Sequence, residues 1–156
     1  MGDGGIHKQR LPRECCAEHS IAIDAPIDTV WSILVDFGSW GSWNPLYIET
    51  DGTLEVGRQV GMTVALAGLK PQKALARVSV VNPPTRIEYG LRNLGGLLCA
   101  DRYIDLEPTG PGSCRVANGE IMSGLLGKLM FRFMGGKVRD GLQGMNEALQ
   151  RRSQTG

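Results

Sequence analysis

Between Leu125 and Arg152 the apolar residues Phe131, Met134, Val138, Leu142, Met145 and Leu149 recur at steps of three and four. That spacing puts them on one stripe of a helix, with Lys137, Arg139, Asp140, Gln143, Glu147, Arg151 and Arg152 mostly on its other sides. Such a helix is not stable alone in water, so the rest of the chain must supply a surface to receive the stripe. Most of the sequence upstream reads as strands and tight turns, which predicts a helix laid across the concave face of a sheet. Gly135 and Gly136 interrupt the pattern at about 1 kcal/mol each relative to alanine, and a bend or break is expected there. Gly141 and Gly144 either allow close backbone approach or leave empty volume beneath the helix.

Residues 1–15 show no hydrophobic periodicity and are expected to form a mobile tail ahead of a single domain over residues 16–152. From Cys16 to Asp24 the pattern alternates, with Ala17, His19, Ile21 and Ile23 opposing Glu18, Ser20, Ala22 and Asp24, the signature of a half-buried strand. Ala25-Pro26 ends it, and Ile27, Val30, Trp31 and Leu34 fall on one face of a short helix that Gly38 can close. Ser39 to Pro45 carries two of the three tryptophans, which either plug one end of a core or line a binding mouth; the area a tryptophan buries favours the plug. Strands are then predicted over Leu46–Asp51, Gln59–Leu66, Lys73–Val81, Arg86–Leu91, Leu98–Glu107 and Ser113–Met122. Gly52 and Gly57, Gly68 to Pro71, Pro83-Pro84 and Pro108 to Gly112 supply the reversals between them.

The 156 residues suit one domain with a real core. With 17 basic and 16 acidic residues the formal charge is +1, so no strong overall field favours nucleic acid or an anionic membrane. No apolar run reaches the roughly 18–20 residues that span a bilayer, and the N-terminus lacks the apolar core of a secretory signal, so a soluble cytoplasmic protein without stable membrane insertion is expected. Cys15, Cys16, Cys99 and Cys114 show no disulfide-framework spacing and are expected to be thiols. If Cys16 to Asp24 is a strand, Cys15 and His19 stand about 13 Å apart, too far to share a metal ion.

Hairpin geometry assigns faces. Around Pro83-Pro84, Val80 is expected opposite Ile87, Val78 opposite Tyr89 and Ala76 opposite Leu91, all pointing inward. Around the Thr109 to Gly112 turn, Leu106 meets Val116, Ile104 meets Asn118 and Arg102 meets Glu120. The parity that turns Ile104 and Leu106 inward also turns Arg102 inward, opposite Glu120. Burying both charges costs several kcal/mol per ion unless geometry compensates. The two residues therefore form either a satisfied ion pair near the sheet edge or the anchor for a ligand, with Asn118 as a further polar group.

The run Ile23-Asp24-Ala25-Pro26-Ile27-Asp28-Thr29-Val30-Trp31, followed by Leu34, Asp36-Phe37 and Trp43-Asn44-Pro45, resembles the start of the SRPBCC proteins, the START and Bet v 1-like superfamily. Leu54-Glu55-Val56-Gly57, Val81-Asn82-Pro83-Pro84-Thr85-Arg86-Ile87, Asp105-Leu106-Glu107-Pro108, Gly119-Glu120 with Ser123-Gly124, and Gly141-Leu142 with Asn146-Glu147-Ala148-Leu149 resemble its polyketide cyclase/dehydrase-like branch. The resemblance covers residues 16–152 and implies an α+β helix-grip fold: a seven-stranded antiparallel curved sheet around a long C-terminal helix, two short helices after the first strand, and an apolar cavity between sheet and helix. In many members the position matching Arg102 holds a histidine facing the cavity. An arginine there is a poor general base and a good donor to a carbonyl, carboxylate or phenolate oxygen.

Nothing in the sequence forms a nucleophile motif or a metal-ligand set, and no cofactor is expected. The leading expectation is a pocket for a small hydrophobic molecule such as a lipid, polyketide or aromatic compound, with no nucleic-acid partner and with association into a homodimer left open. Met62, Val64, Ala76, Val78, Leu91, Ile104, Met134, Val138 and Leu142, together with Val60, are expected to supply apolar walls. Arg102, Glu120, Asn118 and Tyr89 are its expected polar groups. The alternatives are a polyketide cyclase, aromatase or dehydratase working through the same pocket, and a protein-interaction domain like the co-chaperone relatives of the superfamily.

Overall fold

The computed structural model describes residues 15–155, so the expected tail lies outside the described residues except for Cys15. The alternating segment becomes β1 (Cys16–Ile23), and Pro26, fixed near the helical φ, precedes α1 (Ile27–Val35). A 3-10 helix (Phe37–Ser42) follows, then β2 (Tyr47–Asp51), β3 (Gln59–Val64), β4 (Gln72–Asn82), β5 (Arg86–Asn93), β6 (Leu98–Gly110), β7 (Ser113–Ser123) and α2 (Gly124–Gln154). All neighbouring strands pair antiparallel, in the order β1-β7-β6-β5-β4-β3-β2, and the curved sheet holds α2 in its concavity.

The apolar stripe does what its spacing dictates. Val138, Leu142, Met145 and Leu149 are buried against the sheet, whereas Phe131 and Met134, nearer the N-terminal end, are only half-buried. Truncating a fully buried leucine such as Leu142 to alanine costs about 2–5 kcal/mol. The expected break at Gly135 and Gly136 does not occur: α2 is one helix of 31 residues. Two glycines cost about 2 kcal/mol of propensity together, less than the buried stripe on their C-terminal side contributes.

The C-terminal half of α2 is also tied to β1 by a ladder of amides one turn apart. Asn146 Nδ2 donates to the His19 carbonyl at 2.8 Å, Gln150 Nε2 donates to the Ala22 carbonyl at 2.9 Å, and Gln154 Oε1 accepts from the Asp24 N–H at 3.0 Å. α1 and the 3-10 helix fill the concavity at the other end of the strands. Trp40 there is fully buried, touches the Phe37, Trp43 and Tyr47 rings, and donates from Nε1 to the Leu34 carbonyl at 2.9 Å. The tryptophans are a plug.

One register differs from expectation. Val78 does face Tyr89, but a bulge between Val78 and Val80 shifts the next pairs, so Val80 faces Glu88 and Ile87 faces Val81. An extra residue in one strand is invisible to a strict two-residue period. In the β6–β7 hairpin the three expected pairs, Leu106 with Val116, Ile104 with Asn118 and Arg102 with Glu120, all form.

Two glycine substitutions separate helix propensity from steric need. Gly136→Ala, mid-helix with open space around its would-be Cβ, is expected to raise stability by about 0.5–1 kcal/mol. Gly124→Ala is expected to lower it by more than 1 kcal/mol, because Gly124 sits at φ +78° with the Gly96 carbonyl oxygen 2.7 Å from where Cβ would stand. Urea unfolding of both variants checks the opposite signs.

Candidate ligand site

Arg102 projects from the middle of β6 into the concavity, where it is 4% exposed. Its Nη1 donates to the Tyr47 hydroxyl at 2.8 Å, and its guanidinium carbon stands 5.4 Å from the centroid of that ring. Its Nη2 donates to Asn118 Oδ1 and reaches Met145 Sδ at 3.8 Å. Its Nε–H has no partner. Of the two alternatives for Arg102 and Glu120, the ion pair is not made: the four ion pairs among the described residues use Arg58, Arg86 twice and Arg92. Instead Glu120 stands on the cavity wall as a half-buried carboxylate across the ladder from Arg102.

The orientation of this cluster follows from arginine having donors only. Asn118 must turn its oxygen to Arg102, so its Nδ2 faces Asn146 Oδ1 at 3.3 Å and Met145 Sδ at 3.3 Å. Asn146 must then present its own Nδ2 to β1, where it finds the His19 carbonyl and His19 Nδ1 at 2.9 Å. His19 Nδ1 is thereby an acceptor, and its ring proton lies on Nε2. Asn118 and Asn146 are fully buried, so each amide flip would strand two groups at about 1–3 kcal/mol apiece. The chain from β6 through β7 and α2 to β1 locks the guanidinium in place.

A cavity of about 550 Å³ lies between the sheet and the N-terminal half of α2. Of the residues named from the sequence, Arg102, Glu120, Tyr89, Met62, Val64, Ala76, Leu91 and Val138 line it. Val78, Ile104, Leu142 and Asn118 do not; they are buried behind or beside it, and Val60 joins them in the core. Met134 is half-buried and off the wall. The reason is that α1 packs onto β6 and α2, filling the half of the concavity where Ile104 and Leu142 point. Tyr47, Leu46, Met122 and Met130 line the cavity and were not foreseen. Tyr47 was detectable in principle, since it pairs with the inward Val64, but the long β2–β3 connection and a bulge after Tyr47 hide the register.

The hydroxyl of Tyr89 is buried without a partner, like Arg102 Nε. Burial pushes the Tyr47 phenol well above its ordinary value and the Tyr89 phenol above its own, against the pull of Arg102 on both. Burial likewise pushes the Glu120 carboxyl up, opposed by Arg102 and reinforced by Asp101. For Arg102 burial acts downward, but Tyr47, Tyr89 and Glu120 together more than offset it, so the guanidinium stays charged. The polar end of the cavity is therefore a fixed cation, flanked by the buried phenols of Tyr47 and Tyr89. A second depression of about 560 Å³, bordered by Glu49, Asp51 and Lys73, holds none of the buried unpaired polar atoms.

Residues 14–151 match the profile of the family described as polyketide cyclase / dehydrase and lipid transport. A START superfamily protein from Mycobacterium smegmatis superposes with TM-score 0.68 at 18% identity, covering 90% of this chain and 98% of that one. The Zhui aromatase/cyclase from Streptomyces sp. R1128 gives TM-score 0.72 at 14% identity, covering 89% and 93%. Norcoclaurine synthase from Thalictrum flavum, in complex with dopamine and hydroxybenzaldehyde, gives 0.63 at 18% identity, covering 87% and 84%. At these identities the likeness is one of fold. No curated protein matches this chain in sequence.

The phenols make a test of the site's burial. The chain's three tyrosines are Tyr47, Tyr89 and Tyr103, and burial is the first cause raising each; Tyr103 also donates to Glu18. Unfolded tyrosine ionises near pH 10, so the stability these groups contribute is complete below that pH and is lost as pH rises above it. Tyrosinate absorbance is expected to appear only together with loss of the folded circular-dichroism signal. A phenol titrating near pH 10 in the folded protein would contradict the site as described.

Proposed function

The chain belongs to the polyketide cyclase / dehydrase and lipid transport family, and from that membership and the polar end of the cavity we propose that it binds a small, mostly apolar molecule bearing a carbonyl, carboxylate or phenolate oxygen. The observation that carries the reading is Arg102: a buried guanidinium with no ion-pair partner and an unused Nε–H, beside the unused hydroxyl of Tyr89. An unpaired buried charge costs several kcal/mol, and an anionic or strongly accepting oxygen placed between these groups offsets that cost. The apolar body of the ligand rests on Met62, Val64, Leu91, Met122, Met130 and Val138. About 550 Å³ holds a molecule of two to four fused rings or a short acyl chain. The setting proposed is the cytoplasm, which four free cysteines favour, and the partner is a small molecule rather than a nucleic acid.

One observation favours a second reading, catalysis of a cyclisation or dehydration. Glu120 is the one carboxylate on the cavity wall, and burial raises its proton affinity, which suits a group that takes up and returns a proton. Two aromatic ligands occupy the norcoclaurine synthase structure, and one solved neighbour is an aromatase/cyclase, so the same fold hosts enzymes elsewhere. On this reading Arg102 holds an enolate oxygen while Glu120 moves the proton.

Paired fluorescent probes test the binding reading. Arg102→Leu is expected to weaken anilinonaphthalene sulfonate, which is anionic, by about ten- to a hundredfold, and to leave the neutral phenylnaphthylamine within about threefold. Equal affinity of the folded variant for the anionic probe would remove Arg102 from the site. For the enzymatic reading, Glu120→Gln is expected to keep probe affinity and abolish conversion of a poly-β-keto substrate, followed by mass spectrometry.

A further inference from the structure

Among the described residues, six of the nine exposed large apolar side chains fall on three segments that meet beside the cavity: Leu69 in the β3–β4 turn, Leu94 and Leu97 in the β5–β6 turn, and Leu125, Leu129 and Phe133 on α2. The last three are four residues apart and form one ridge, with Leu125 77% and Phe133 76% exposed. Both turns touch the helix. The Leu126 N–H donates to the Leu97 carbonyl at 3.0 Å, and Lys137 Nζ donates to the Ala67 carbonyl at 2.9 Å. The ends of these same segments, Leu66, Gln72, Asn93, Leu98 and Met130, line the cavity, so the ridge and turns are its rim.

The rim's charge is one-sided. Residues 66–73, 91–98 and 124–138 hold Lys70, Lys73, Arg92, Lys128, Arg132 and Lys137, all exposed, and none of the chain's 16 acidic residues. Arg92 alone faces a carboxylate, Asp101 at 3.9 Å. The overall charge of +1, which gave no reason to expect an anionic surface as partner, averages this face against acidic residues elsewhere. Large apolar side chains standing out of a ring of cations match the boundary of an anionic bilayer, where acyl chains lie under phosphate and carboxylate headgroups.

We propose that the cavity rim is a membrane-docking surface: Leu125, Leu129, Phe133, Leu94 and Leu97 enter the headgroup region of an anionic phospholipid bilayer while Lys128, Arg132 and Lys70 pair with its headgroups. Docked this way, the cavity opens toward the acyl layer, and an apolar ligand passes between bilayer and protein without crossing water. The surface stands on its own observations; the ligand it hands over rests on the binding reading above. No helix among the described residues is long and apolar enough to cross a membrane, and docking at the surface needs none.

Cosedimentation of the full chain with vesicles tests the proposal. Binding is expected to equimolar phosphatidylcholine and phosphatidylserine, to be weak on phosphatidylcholine alone, and to fall steeply with added salt. Lys128→Ala with Arg132→Ala is expected to lower partitioning by about thirtyfold at low salt, and Phe133→Ser with Leu125→Ser by at least tenfold. Val56→Ser, which removes an apolar residue 60% exposed away from the rim, is the control and is expected to change nothing. All five side chains are exposed, so circular dichroism is expected to show folded variants. Absence of binding to either vesicle, or loss of the same size in Val56→Ser, overturns the proposal. So does a dimer of the wild type that Phe133→Ser dissolves, since the ridge is then covered by a second copy. Probe uptake measured on the same samples keeps the two readings apart: a protein that takes up probe and ignores vesicles fails here and leaves the cavity reading intact.

Discussion

A positive charge that cannot be discharged sits in the middle of this sheet, and the surrounding polar architecture is arranged to hold it. Arg102 has no acceptor atom, which sets the orientation of Asn118, then of Asn146, then of the His19 ring. Because those residues sit on β6, β7, α2 and β1, one guanidinium indexes four elements against each other. A neutral donor-acceptor at position 102 would let each amide choose its rotamer, and the register between helix and sheet would lose its polar reference. Stability gains little from such a buried charge; what it supplies is one arrangement rather than several, together with a buried donor left without a partner.

The cavity itself follows from where α2 is held. Its C-terminal half is seated on β1 and β7 by Leu142, Met145 and Leu149 and by the amide ladder, while α1 and the tryptophan plug fill one end of the concavity. Its N-terminal half is tied only to the β3–β4 and β5–β6 turns by the Lys137 and Leu126 hydrogen bonds, and apart from Gly127 and Val138 its residues are half-buried or exposed. The sheet curves away, the helix is straight enough to bridge it, and space is left beneath Met130 and Val138.

Much of the fold could be read from local pattern, since strand alternation, turn residues and the three-and-four spacing of α2 are each set by the residues that carry them. Inward parity of Arg102, Asn118 and Glu120 was likewise readable, because the tight β6–β7 turn fixes that hairpin's register. Where expectation failed, the deciding contact was remote. The helix passes Gly135 and Gly136 because buried residues on its C-terminal side hold it, the bulge at Ser79 adds a residue no period announces, and Arg102 turns to Tyr47 instead of Glu120 because Tyr47 arrives from a strand 55 positions away. Ile104 and Leu142 look like cavity wall by parity and are core because α1 packs over that half.

The amide ladder from α2 to β1 has a consequence beyond seating the helix. β1 is an outer strand, and the amides of α2 reach backbone groups along it: the His19 and Ala22 carbonyls and, just beyond its end, the Asp24 N–H. Asn146, Gln150 and Gln154 occupy them. At the far side β2 is five residues long, is bulged after Tyr47, and carries Glu49 and Asp51, features that frustrate strand addition. Among the described residues both margins of the sheet are thus partly blunted, one by the amides of α2 and the other by a short, bulged, acidic strand, so a second chain finds less free backbone to pair with there.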